Sequence, residues 1–207
     1  MWVTWVEPST WDANPEEYLM VPIYGSFVSL GTDNANEPMR LVPSALAPIM
    51  GDATWSYSLG RTFLAWEQAA AVGGLDTGTY VLDLMKASVE PRSIGTNAWR
   101  PSVSLDRLVY WENGLQFLDL ATGEKREVDP KGDFPTNAFS FVAYYRPIES
   151  GDGSTYEIVA RGLTGGYEQV LATQTDAPWL SAAIAASGTH VAFVADGALH
   201  VFEWKGQ

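Results

Sequence analysis

Short apolar runs separated by turn residues set the pattern of this chain. Five of them share one character: Val3-Thr4-Trp5-Val6, Phe63-Leu64-Ala65-Trp66, Leu108-Val109-Tyr110-Trp111, Val142-Ala143-Tyr144-Tyr145 and Val191-Ala192-Phe193-Val194. The runs are continuous rather than alternating, so each predicts a strand covered on both faces. Helical periodicity is scarce, and Gly, Pro, Asn and Asp punctuate stretches of four to eight β-formers, the pattern of an all-β fold. The residues after the runs are Glu7, Glu67, Glu112, Arg146 and Ala195. Their spacing averages about 47 residues, within the ~40–50 expected of propeller repeats.

A second strand follows each turn: 79–84 (TYVLDL), 115–120 (LQFLDL), 156–160 (YEIVA) and 199–204 (LHVFEW). A more polar third strand is expected at 39–42, 88–94, 124–128 and 167–172, where charge suits a sheet edge. Small-residue strands precede the apolar runs at 53–57, 102–104, 137–139 and 180–185, as an inner strand near a crowded axis requires. The clearest unit is 102–128, SVSLDRLVYWENGLQFLDLATGEKREV. Its Asn113-Gly114 dipeptide predicts a tight hairpin turn.

The segments Ser104-Leu105-Asp106-Arg107-Leu108-Val109-Tyr110, Asn113-Gly114-Leu115-Gln116-Phe117 and Asp119-Leu120-Ala121-Thr122-Gly123-Glu124 resemble a blade of the TolB-type, WD-repeat-like β-propellers. Segments 186–193 (ASGTHVAF) and 196–202 (DGALHVF) resemble its neighbouring parts. The pattern departs from the family where Pro is missing after the Ser and Gly after Asp106. The resemblance implies a fold and not an activity. The expectation is a single β-propeller domain over 1–207 of about five blades, with repeats near 1–45, 46–96, 97–130, 131–174 and 175–207. The first and last blades are expected to be incomplete, with a fragment of a larger propeller as the alternative. Pairing of Trp2–Glu7 beside Leu199–Trp204 would close the ring.

Composition narrows the function classes. The chain has 207 residues, 46% hydrophobic and 13% aromatic, including nine Trp, and so belongs to an ordered globular class. A formal charge of −13 repels phosphate, which argues against nucleic acid and anionic membrane as partners. The absence of cysteine excludes disulfides, thiol nucleophiles and thiolate metal sites. No apolar run reaches the ~18 residues of a membrane span, so no membrane insertion is expected. The opening MWVTWVEP has no basic segment or cleavage site of a signal peptide. The family resemblance implies a periplasmic or extracellular setting.

Candidate chemistry sits at the strand ends and in the longer loops. Glu7, Glu67 and Glu112 end equivalent strands, so a ring of carboxylates could bind a cation or act on a glycoside. Solvation of strand ends accounts for the same residues. Long loops are expected at 8–17, 67–78 and 146–155, and variable loops on a rigid scaffold carry recognition. Trp11 and Asp12 are the leading ligand-contacting pair, since an exposed Trp stacks on a sugar or anchors a partner. Asp76, Arg146 and Asp152 complete the candidate set. The oxygen-rich turns Asp33-Asn34-Ala35-Asn36-Glu37 and Asp152-Gly153-Ser154 lack calcium-loop spacing, and neither His190 nor His200 has a partner at ligand spacing. No nucleophile elbow, P-loop, dinucleotide fingerprint or metalloprotease motif occurs, and no cofactor or metal is expected. The expected function is a non-enzymatic binding or scaffolding module for a protein partner or larger assembly. The alternative is a glycoside-acting enzyme or saccharide-binding, lectin-like propeller using loop carboxylates and Trp.

Overall fold

The β-branched and aromatic runs become strands, and the Gly, Asn and Asp positions between them become turns. The computed structural model describes residues 2–6, 19–27, 39–47, 57–68, 76–86, 90–148, 155–175 and 184–206, with side chains from residue 57 onward. Every regular element among the described residues is a strand. The strands form five small sheets in which sequence neighbours are sheet neighbours. The fold is all-β. Two compact units divide the chain, Met1–Trp99 and Arg100–Gln207.

In the first unit, β1 (Trp2–Val6), β2 (Leu19–Phe27) and β3 (Met39–Ala47) form one antiparallel sheet. A four-stranded sheet follows, built from β4 (Tyr57–Leu59), β5 (Phe63–Gln68), β6 (Gly78–Asp83) and β7 (Arg92–Gly95). Leu64, Trp66, Tyr80, Leu82 and Leu84 form its apolar cluster. Trp66 and Tyr80 are cross-strand partners, and their rings stack 5.7 Å apart.

The second unit holds three sheets. The first contains β8 (Trp99–Ser104), β9 (Arg107–Trp111), β10 (Leu115–Asp119) and β11 (Lys125–Asp129). The second contains β12 (Asp133–Asn137), β13 (Phe141–Ile148), β14 (Thr155–Gly162) and β15 (Glu168–Gln174). The third contains β16 (Ala185–Ser187), β17 (His190–Ala195) and β18 (Ala198–Glu203). The sheet of β12–β15 is the middle layer. Val142, Tyr144 and Val159 on one face cluster with Val109, Leu115, Phe117 and Val128. Phe141, Ala143, Tyr145, Ile158 and Ala160 on the other cluster with Val191, Phe193 and Ala195. Alternate residues of β13 thus enter different cores, which is why its run is apolar throughout.

Polar contacts join the first strands of these sheets. The backbone N–H of Asn137 donates to Ser102 Oγ at 2.8 Å, and its Nδ2 donates to the Arg107 carbonyl at 2.6 Å. Thr136 Oγ1 donates to the Ile184 carbonyl at 2.9 Å. Asn137 also ends its strand. Its Oδ1 accepts the Phe139 N–H at 3.0 Å, and Phe139 takes a φ of 65°. The strand expected over 137–139 therefore lies earlier, at Asp133–Asn137, because the asparagine folds onto the turn that follows it. At the Asn113-Gly114 turn both φ values are positive, 56° and 115°. A Cβ at Gly114 would lie 2.8 Å from the Pro130 carbonyl oxygen, so glycine is required there.

Candidate functional site

The densest charged constellation among the described residues is built around Arg146. Sequence reading places Arg146 at the start of a loop, but β13 continues to Ile148 and Arg146 pairs across the ladder with Glu157 of β14. The opposite charges of this pair favour the longer hairpin. Arg146 Nε and Nη2 both donate to Glu157 Oε2, at 2.9 and 2.7 Å. Its Nη1 donates to Glu168 Oε1 at 2.7 Å and to Asp129 Oδ2 at 3.2 Å. One guanidinium is thus held by three carboxylates from three strands, β11, β14 and β15.

Tyr144 completes the constellation from the same strand. Its hydroxyl donates to Asp129 Oδ2 at 2.8 Å and approaches Glu168 Oε2 at 3.4 Å. Arg161 Nη1 lies 3.5 Å from Glu168 Oε2. Asp129 is buried, and its carboxylate is compensated by both Tyr144 and Arg146. Burial alone would depress the Arg146 guanidinium, but its hydrogen bonds to Glu157 and Glu168 outweigh that and raise its pKa. Burial, then the charge of Asp129, raises the Tyr144 phenol far above its ordinary value. Both groups are locked in one protonation state at neutral pH, so neither is poised to exchange a proton there. Asp129 belongs to the sheet of β8–β11 and the other members to the sheet of β12–β15, so the constellation ties the two layers together.

Glu112 follows β9 and forms an ion pair with Lys125 of β11. Lys125 also lies 5.5 Å from the centre of the Tyr110 ring. The hydrogen bond to Glu112 raises the Lys125 pKa, and burial raises that of Tyr110. Glu67 lies in β5, paired with Thr79, and Asp76 is exposed just before β6. Trp11, Asp12 and Asp152 lie outside the described residues, as do Glu7 and the turns at 33–37 and 152–154. Of the described candidates, the structure places Arg146 among carboxylates and Glu112 against a lysine. Asp129, Tyr144, Glu157 and Glu168 were not singled out by sequence reasoning. The one local signal for them is the Arg146–Glu157 pair, facing each other across a hairpin.

Burial pushes the Tyr145 phenol up to about 12, partly opposed by the Gln174 side chain. Folding therefore holds this proton more tightly than the unfolded chain does. Its contribution to stability is complete below about pH 10 and is lost as pH rises toward about 12. Tyr145→Phe is expected to flatten the fall in stability over that window by on the order of 2 kcal/mol, read from urea midpoints at stepped pH.

Among the described residues, no group of three His, Asp or Glu side chains is arranged to hold a metal ion, and no helix is long and apolar enough to cross a membrane. No family model matches the sequence, and no curated protein matches it. Among solved structures, TolB from Acinetobacter baumannii is similar over 88% of this chain and 48% of its own, at 13% identity and a TM-score of 0.47. The chain thus spans about half the length of that TolB.

Proposed function

We propose that this chain is a β-propeller of about five blades, with incomplete first and last blades, that acts as a non-enzymatic binding or scaffolding module. It recognises a protein partner through the face that carries the longer loops, with Trp11, Asp12, Asp76 and Asp152 as contact residues. The observation that carries this reading is the state of the charged strand residues. Arg146 is consumed by Glu157 and Glu168 within its own sheet and by Asp129 of the neighbouring one, and Glu112 by Lys125 within a single sheet, so these side chains brace the strands. Recognition then falls to the connections between strands. The setting implied by the family resemblance, periplasmic or extracellular, is part of the same proposal.

The rival class is an enzyme acting on glycosides. A hydrolysis screen across polysaccharides, run beside Glu67→Gln and Glu112→Gln variants, separates the two. The binding reading expects no turnover above buffer from any of the three proteins. Turnover that disappears in either variant would overturn it.

A further inference from the structure

Three asparagines lie among the described residues, and the fold treats them differently. Asn137 is fully engaged. Its Nδ2 donates to the carbonyls of Arg107 at 2.6 Å and Ser102 at 3.4 Å, and its Oδ1 accepts the Phe139 N–H at 3.0 Å. The amide that follows it is engaged as well, since the Ala138 N–H donates to the Phe141 carbonyl at 2.9 Å. After Asn97, the Ala98 N–H donates to the Gly95 carbonyl at 3.3 Å, and Ala98 is fully buried. Asn113 has neither restraint. Among the described residues, no hydrogen bond or ion pair holds its carboxamide, and none occupies the N–H of Gly114. Gly114 also has no side chain to shield that nitrogen.

These are the two groups that react when an asparagine deamidates. We propose that Asn113-Gly114 is a site of spontaneous self-modification, at which Asn113 becomes aspartate or isoaspartate through a cyclic imide. Hydroxide takes the Gly114 N–H proton, and the nitrogen attacks Asn113 Cγ. The carboxamide C–N bond breaks, and ammonia leaves with a proton from water, which restores the hydroxide. Water then adds to one of the two imide carbonyls. Opening at the former Cγ gives aspartate. Opening at the main-chain carbonyl gives isoaspartate, whose backbone is one methylene longer. Both reacting atoms belong to adjacent residues, so the reaction needs no open strand edge, no docking surface and no partner. It is also independent of the loop residues in the proposed function.

The fold distinguishes the two products. Asn113 holds a φ of 56°, and in the turn between β17 and β18 Asp196 and Gly197 hold 51° and 71°. Aspartate before glycine therefore takes this conformation elsewhere in the same chain. Isoaspartate instead lengthens a turn that is clamped on both sides. The Glu112 N–H donates to the Gly114 carbonyl at 2.8 Å, and a Cβ at Gly114 would lie 2.8 Å from the Pro130 carbonyl oxygen.

The test holds the full chain in mildly alkaline buffer, folded and in urea, and maps it by proteolysis and mass spectrometry that resolves the two isomers. The folded chain should convert at Asn113, faster as pH rises, and stay intact at Asn97 and Asn137. In Asn113→Gln the signal should be lost, because the longer side chain closes a less favourable ring. The isoaspartate share should be smaller from the folded chain than from the chain in urea, where the clamp is gone. Asn113→Asp should unfold at the same urea concentration as wild type. Four results would overturn the proposal: an intact Asn113 in the folded chain beside conversion in urea, conversion at Asn97 or Asn137 that keeps pace with Asn113, an equal isoaspartate share in both states, or a destabilised Asn113→Asp.

Discussion

Replacing Arg146 with methionine is expected to destabilise the second unit by about 3–5 kcal/mol, the usual cost of removing one partner from a buried ionic group. The side chain of Arg146 is 22% exposed and that of Asp129 only 5%, so solvent does little to soften the loss. Without the guanidinium, Asp129, Glu157 and Glu168 face one another across β11, β14 and β15 with no central cation. Like charges in that geometry repel, and Asp129 has no water to turn to. Arg146→Lys should recover part of the loss, because it restores the charge without the fork that reaches Glu157 and Glu168 together. Urea unfolding of the wild type and both variants at neutral pH measures both effects. A methionine variant as stable as wild type would mean that the carboxylates relax into water.

Truncating Phe141 to alanine should cost a similar amount, about 3–5 kcal/mol, for a different reason. Phe141 is fully buried and stacks on Trp204, ring centres 5.0 Å apart. It belongs to the cluster in which β13 and β14 meet β17, so its removal leaves a cavity between two layers. Both layers are fixed by their own ladders, which limits collapse into the space. Trp204 supplies the readout. Its emission should move toward that of a wetter indole as the variant's unfolding midpoint falls. A midpoint within experimental scatter of wild type would contradict the packing described here.

The class of the fold was legible because apolar runs such as Leu108–Trp111 and Val142–Tyr145 are too short for helices and apolar at every position. The structure gives the reason, since consecutive residues of β13 enter separate cores. Strand limits were less legible where a polar residue does two jobs. Asp133-Phe134-Pro135 reads as a loop, yet it opens β12, with Phe134 at a φ of 49° and the register shifted between Asp133 and Thr136. Proline is tolerated there because the ladder is already irregular.

The charged constellation was the least legible feature. Arg146 was named as a candidate, but its partners lie 17 positions before it and 11 and 22 positions after it. No spacing rule links them. Only the pairing of β13, β14 and β15 in one sheet, and the approach of β11, brings the four side chains together. The same geometry places Arg146 inside β13 among three carboxylates rather than at the start of a loop.

The proposed function puts recognition in the loops and stability in the strands. Its most direct test is a paired measurement on the chain lacking residues 10–16, of partner capture and of thermal melting, beside Arg146→Lys. The deletion should abolish capture with the melting temperature nearly unchanged, while Arg146→Lys lowers the melting temperature and still captures. Full capture by the deleted chain would contradict the claim.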